Sequence, residues 1–145
     1  MRILIVDDDL GRTREIIDGV KKRFGGQPES WTAQSSDEAI RILAFDKATR
    51  WDMIFLDHDL LSSGEYCDDG QTVAQAMVDI GVKARRVIIQ SVNWWGAPIM
   101  KGILSGYKVT LAPYPDVLLL LAGVKRSEWR QTRMMGSWKE GRLFA

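Results

Sequence analysis

Three short apolar runs fix most of what this chain can fold into: "RILIVD" (residues 2–7), "MIFLD" (53–57) and "RVIIQS" (86–91). Each is too short for a buried helix and lacks polar alternation, the pattern of a strand covered on both faces. Amphipathic stretches lie between them. In "GRTREIIDGVKKRF" (11–24), Ile16, Ile17, Val20 and Phe24 share one helical face. "SSDEAIRILAF" (35–45) opens with Ser35 and, three residues later, Glu38, the spacing of a capping box. "DGQTVAQAMVDIG" (69–81) carries Val73, Ala76, Met77 and Ile80 on one face, and Gly81 is a suitable stop. Two weaker strands, "ESWTAQ" (29–34) and "YKVTLA" (107–112), and a last helix, "PDVLLLLAGV" (115–124), complete the series. Strand and helix alternate five times, which predicts an α/β fold: a doubly wound parallel sheet with helices on both faces.

In an open sheet of this kind, ligands bind beyond the carboxyl ends of the strands, where strand order reverses. The residues there are Asp7, Asp8 and Asp9 after the first strand, Asp57, His58 and Asp59 after the third, and Ser91, Val92 and Asn93 after the fourth. Five Asp from neighbouring strands cannot all stay ionised a few ångströms apart without a cation. Mg²⁺ (or Mn²⁺) suits such a set, because a hard ion takes oxygen ligands, often one or two carboxylates plus a phosphate. Zinc does not, with one His and one Cys in the chain. Asp9 reads as the cap of the helix it precedes, and so does Asp68 or Asp69. The loop containing Glu65, Asp68 and Asp69 is alternatively a source of one more ligand or a lid. Trp94 and Trp95 follow Asn93; either one lines the pocket and stacks on a base or sugar, or one enters the core and the other stays on the surface.

Composition adds limits. At 145 residues the chain suits one domain, with no repeat, low-complexity segment or linker. Hydrophobic residues are 46% and charged residues 27%, and no tract is apolar and long enough to cross a bilayer. The first apolar run is too short for a signal peptide, so a soluble, cytoplasmic protein is expected. The single Cys67 excludes an intramolecular disulfide, and its acidic loop argues against a reactive thiol. Net charge is only +1, yet residues 1–72 carry nine Lys/Arg against fifteen Asp/Glu and residues 73–145 carry eleven against four. An acidic pocket from the first half and a basic surface from the second would follow, although most of these charges belong to solvated helix faces. Residues 125–145 form a basic extension with Trp129 and Trp138. Packing on the same domain is expected, because no nucleic-acid-binding module signature accompanies it.

"ILIVDDD" (3–9), "DMIFLDHDL" (52–60), "VIIQS" (87–91) and "YKVTLAP" (107–113) together resemble the receiver domain of response regulators, over residues 1–124. The resemblance implies a five-stranded sheet of order 2-1-3-4-5, a Mg²⁺ held by Asp7, Asp8 and Asp57, Asp57 as phosphoryl acceptor, and Ser91 as the hydroxyl ending the fourth strand. Signalling receivers carry a Lys before the Pro after the fifth strand; here Ala112 precedes Pro113.

A narrower likeness lies in Asp57-His58-Asp59-Leu60 joined to "SVNWWGAPIM" (91–100), with Ser91, Asn93, Gly96, Ala97 and Met100. These residues resemble the cyclic-phosphate-processing receiver domains, stand-alone relatives proposed to act on cyclic phosphate groups. That family often has a His before the Ser, where this chain has Gln90. The implied function is binding or hydrolysis of a cyclic phosphate, on a nucleotide or an RNA end, with Asp7, Asp8, Asp57 and Asp59 as metal ligands. Asp57 or a water would attack phosphorus, Ser91 and Asn93 would hydrogen-bond phosphoryl oxygens, and Trp94 would stack on the substrate. His58 is either a general acid favoured by its acidic neighbours or, since side chains alternate along a strand, a residue turned away from Asp57. Two other readings are a stand-alone receiver phosphorylated on Asp57 and a degenerate receiver that binds a protein partner. None of the readings involves a membrane.

Overall fold

The computed structural model describes residues 1–60 and 69–130. The chain runs β1 (Arg2–Val6), α1 (Leu10–Phe24), β2 (Glu29–Ala33), α2 (Ser36–Phe45), β3 (Arg50–Leu56), α3 (Gly70–Ile80), β4 (Lys83–Ile89), α4 (Gly96–Ile103), β5 (Val109–Leu111) and α5 (Asp116–Leu121), then a 3-10 turn at Arg126–Glu128. All strand pairs are parallel and the sheet order is β2-β1-β3-β4-β5, as expected.

Alternation along each strand sends successive side chains into two cores. Ile3, Ile5, Phe55 and Ile88 meet Ile16 and Val20 of α1 and Val117 and Leu121 of α5. Leu4, Val6, Ile54, Leu56, Val87 and Ile89 meet α2, α3 and α4 through Leu43, Met77 and Met100. Burial on both faces is why the central strands are unbroken apolar runs, and each such side chain contributes roughly 1.5–3 kcal/mol when fully buried.

The helices start where local chemistry directs. Asp9 accepts from Arg12 N at 3.0 Å, Ser35 from Glu38 N at 3.2 Å, and Asp69 from Thr72 N at 3.1 Å, each satisfying an otherwise unpaired N–H at a helix start. Gly81 ends α3 in the left-handed conformation at φ 77°.

Three boundaries differ from the sequence expectation. β3 and β4 begin at Arg50 and Lys83, several residues before their apolar runs, and these early residues pair across the ladder, Arg50 with Lys83 and Trp51 with Ala84. They include exposed positions at the amino end of the sheet, where charge is tolerated, so an apolar-run criterion stops short. The last helix is also shorter, ending at Leu121 before a turn with Gly123 at φ 81°.

Trp129, in the basic extension, is buried against the α1/α5 core, with its Nε1–H donating to Val124 O at 3.0 Å. Trp138, Glu65, Cys67 and Asp68 lie outside the described residues. No helix among the described residues is long and apolar enough to cross a membrane.

Candidate functional site

Register brings the strand ends level. Val6 stands beside Leu56, Leu56 beside Ile89, and Ile89 beside Leu111. The ladder then runs one residue further, with Asp57 N donating to Val6 O at 2.9 Å, Gln90 N to Leu56 O at 3.1 Å and Ala112 N to Ile89 O at 2.9 Å. Asp7, Asp57, Gln90 and Ala112 therefore share one level. Each sits two residues beyond Ile5, Phe55, Ile88 and Thr110, so period-2 geometry turns Asp7, Asp57 and Gln90 toward the α1/α5 side and His58 and Ser91 toward the α3/α4 side.

Asp7, Asp8 and Asp57 offer oxygens that all lie within 4.8 Å of one another, Asp7 and Asp57 being buried. Burial, and after it the neighbouring Asp7 carboxylate, pushes the Asp57 carboxyl up to about 6. The same two causes raise Asp8. An all-oxygen, multiply negative set at the end of a parallel sheet fits a hard divalent ion by the chemistry of its donors. Asp59 is outside this cluster: its side chain is largely exposed and its Oδ1 lies 2.9 Å from His58 Nδ1.

Arg12 reaches the same carboxylates and was not anticipated. Its Nη2 is 2.9 Å from Asp7 Oδ1, 3.3 Å from Asp57 Oδ2 and 3.5 Å from Asp8 Oδ1, while its Nε donates to Asp7 Oδ2 at 3.1 Å. The contact with Asp7 raises the guanidinium pKa further, so it is always charged. A signal existed in the sequence. Arg12 is the third residue of a helix capped by Asp9, where the helix dipole disfavours a cation, and helical side chains tilt back toward the N-terminus, here toward Asp7 and Asp8.

Gln90 also serves the cluster. It is 1% exposed, and its Nε2 donates to Asp7 Oδ2 at 2.8 Å, while its Oε1 has no hydrogen-bond partner among the described residues. The amide is oriented by the carboxylate, since the reverse orientation would set oxygen against oxygen.

His58 lies across the sheet. Its N–H donates to Asp57 Oδ1 at 2.8 Å, but its ring, 5% exposed with the rest of the residue, faces Asp59 through Nδ1 and Gln71 of α3 through Nε2, at 2.9 and 3.0 Å. With Asp59 accepting from Nδ1–H, Nε2 accepts from Gln71. Trp95 stands edge-on at 5.7 Å between ring centroids. Gly96 makes this packing possible: a Cβ there would come within 2.5 Å of His58 Cδ2. Gly70 meets a similar constraint, its absent Cβ lying 2.1 Å from Asp57 O while its N–H donates to His58 O at 2.7 Å.

Ser91 and Asn93 build the turn into α4. Ser91 Oγ accepts from Asn93 N at 3.0 Å, and Asn93 Oδ1 accepts from Gly96 N at 2.9 Å and Trp95 N at 3.3 Å. Asn93 Nδ2 stands 3.2 Å from His58 Nδ1 and 3.5 Å from Asp59 Oδ1. Neither Trp of the turn enters the core: Trp94 is 84% exposed and Trp95 53%.

Solved structures with the same fold include the phosphorylated cyanobacterial phytochrome response regulator RcpA (18% identity, TM-score 0.62, 90% of this chain and 94% of that one). A Burkholderia pseudomallei response regulator solved with a phosphorylated aspartic acid, calcium ion and citrate matches at 19% identity, TM-score 0.56, over 95% and 74% of the two chains. The Mn²⁺-bound form of response regulator Rcp1 matches at 19% identity, TM-score 0.57, over 84% and 89%. No curated protein matches the chain in sequence. Residues 2–106 match the Cyclic-phosphate processing Receiver domain, and the chain belongs to that family.

Proposed function

We propose that this protein binds a cyclic phosphate at the ends of β1 and β3 and opens its ring by hydrolysis, with Mg²⁺ or Mn²⁺ held by Asp7, Asp8 and Asp57. The observation that carries the reading is the convergence of these three carboxylates, with Arg12 among them, in a chain of the Cyclic-phosphate processing Receiver domain family. When bound, the ion neutralises charge on the equatorial phosphoryl oxygens.

The chain's own groups do the rest. A water that Asp57 orients attacks phosphorus in line; the bond from phosphorus to one ring oxygen breaks, and the proton the water gives up passes to that oxygen, leaving a phosphomonoester. Where Asp57 itself attacks, the ring oxygen takes its proton from solvent, the immediate product is an acyl phosphodiester, and water then cleaves the acyl bond to return the carboxylate and release the monoester. Ser91, buried on the α3/α4 side with its Oγ accepting from Asn93 N, holds the turn into α4. We read His58 as a positioning residue in place of a proton donor, because both ring nitrogens face protein partners, Asp59 and Gln71. The exposed Trp94 beside this turn offers a face on which a nucleoside could stack.

A second reading, a receiver phosphorylated on Asp57, is favoured by the position of that side chain at the end of the third strand among the carboxylates. Ala112 before Pro113 counts against a signalling switch of the usual kind. Incubation with adenosine 2′,3′-cyclic monophosphate and other cyclic phosphates, with Mg²⁺, with Mn²⁺ and with EDTA, separates the two. Metal-dependent monoester formation supports the first; no turnover and no binding, with acetyl phosphate labelling Asp57, supports the second.

A further inference from the structure

Asp7 has no lone pair left for a metal. Its Oδ1 accepts from Asp9 N at 2.8 Å and Arg12 Nη2 at 2.9 Å, and its Oδ2 accepts from Arg12 Nε at 3.1 Å and Gln90 Nε2 at 2.8 Å. A carboxylate offers about four acceptor directions, and all four are taken. Two of these donors are fixed, one a backbone N–H at a helix cap and the other an amide buried at 1% exposure. The other two belong to Arg12, whose side chain is 28% exposed.

A guanidinium and a divalent ion cannot share these oxygens, since like charges at contact repel strongly where water is scarce. Entry of the metal onto Asp7 therefore requires Arg12 to leave. What it leaves with is a planar fork of donors matched to two phosphoryl oxygens. The residue that follows the fifth strand offers no charge to those oxygens, since Ala112, fully buried, precedes Pro113. We propose that Arg12 is a built-in counter-cation that the divalent metal displaces from Asp7, and that the released guanidinium then clamps the phosphoryl group. This inference rests on the metal site proposed above and adds a handover to it. Metal and phosphate binding are then coupled: phosphate holds Arg12 away from Asp7 and so tightens the metal, and the reverse holds equally.

The test is calorimetric titration of Mg²⁺ into the full chain and into Arg12→Gln, each with and without saturating inorganic phosphate. Arg12→Gln is expected to bind Mg²⁺ alone about tenfold tighter than the unaltered chain, within the usual range of such couplings. Phosphate is expected to tighten Mg²⁺ binding to the unaltered chain and to lose that effect in the variant. Equal or weaker Mg²⁺ binding by Arg12→Gln, or an undiminished phosphate effect, would overturn the handover. Should the variant fold poorly, the Arg12 Nε–H resonance of the unaltered chain gives the answer: it must shift on Mg²⁺ addition and again on phosphate. An unmoved resonance in a chain that binds Mg²⁺ overturns the handover and leaves the metal site standing, whereas absence of Mg²⁺ binding in both proteins overturns the two together.

Discussion

Gln90 and Asp7, 83 residues apart in sequence, meet at the level where the parallel ladder ends, the Gln90 amide donating to Asp7 Oδ2 at 2.8 Å with both residues buried. Because the other end of that amide, Oε1, has no partner among the described residues, nearly all its polar value there lies in holding Asp7. Gln90→Met keeps the volume and removes the donor. It is expected to destabilise the fold by about 1–3 kcal/mol, the cost of leaving a buried acceptor short of one bond. Urea denaturation measures this; a change below a few tenths would mean that Asp7 does not depend on Gln90.

Asp57 gives a pH dependence with a definite sign. Its carboxyl is raised from 3.8 to about 6 by burial and by Asp7, so between those values the folded state holds more protons than the unfolded chain. Stability from this group is full below the unfolded value and is lost as pH rises through about 6, roughly 2–3 kcal/mol in all. Asp57→Asn removes the titration. In EDTA the variant is expected to be more stable than the unaltered chain at pH 7.5 and no more stable at pH 4. Equal stability at both would contradict the buried-charge account.

How much of this was legible in the sequence follows from which signals were unambiguous. Ile3 to Val6, Met53 to Leu56 and Val87 to Ile89 are buried on both faces, and a strand of that kind has few other readings, so the α/β class and the order of elements were accessible. Asp9, Ser35 and Asp69 announced helix starts through their own side chains. The site was legible only in outline. Asp7, Asp8 and Asp57 come together as the pattern suggests, but Arg12 looked like one more charge on a solvated helix face. Strand parity already separated His58 from Asp57, and the same parity could have paired Gln90 with Asp7. Trp94 and Trp95 were undecidable, because their exposure depends on how the Asn93 turn packs over His58.

That packing is itself testable. Gly96→Ala would push a methyl group into the His58 ring, which Asp59 and Gln71 hold from either side. A cost of about 1–3 kcal/mol is expected, as for overpacking in a filled interior, with a shift of the His58 ring resonances and of Trp95 fluorescence. Unchanged spectra would mean that the α4 start does not press on His58.

Trp129 links the chain beyond α5 to the body. Its ring is 5% exposed in the α1/α5 core and its Nε1–H is bonded to Val124 O. Trp129→Ala is expected to cost about 3–5 kcal/mol, the usual loss for a large buried aromatic, read from the denaturation midpoint. A loss under 1 kcal/mol would mean that this stretch only rests on the surface.

The central claim is that Asp7, Asp8 and Asp57 jointly hold a hard divalent ion. Titration calorimetry with Mg²⁺ at pH 7.5 addresses it directly, using the unaltered chain, Asp8→Asn and Asp57→Asn. The account predicts a single saturable site in the unaltered chain, accompanied by a thermal shift, and its loss or marked weakening in each variant. No heat and no thermal shift in the unaltered chain, or full binding retained by both variants, would contradict it.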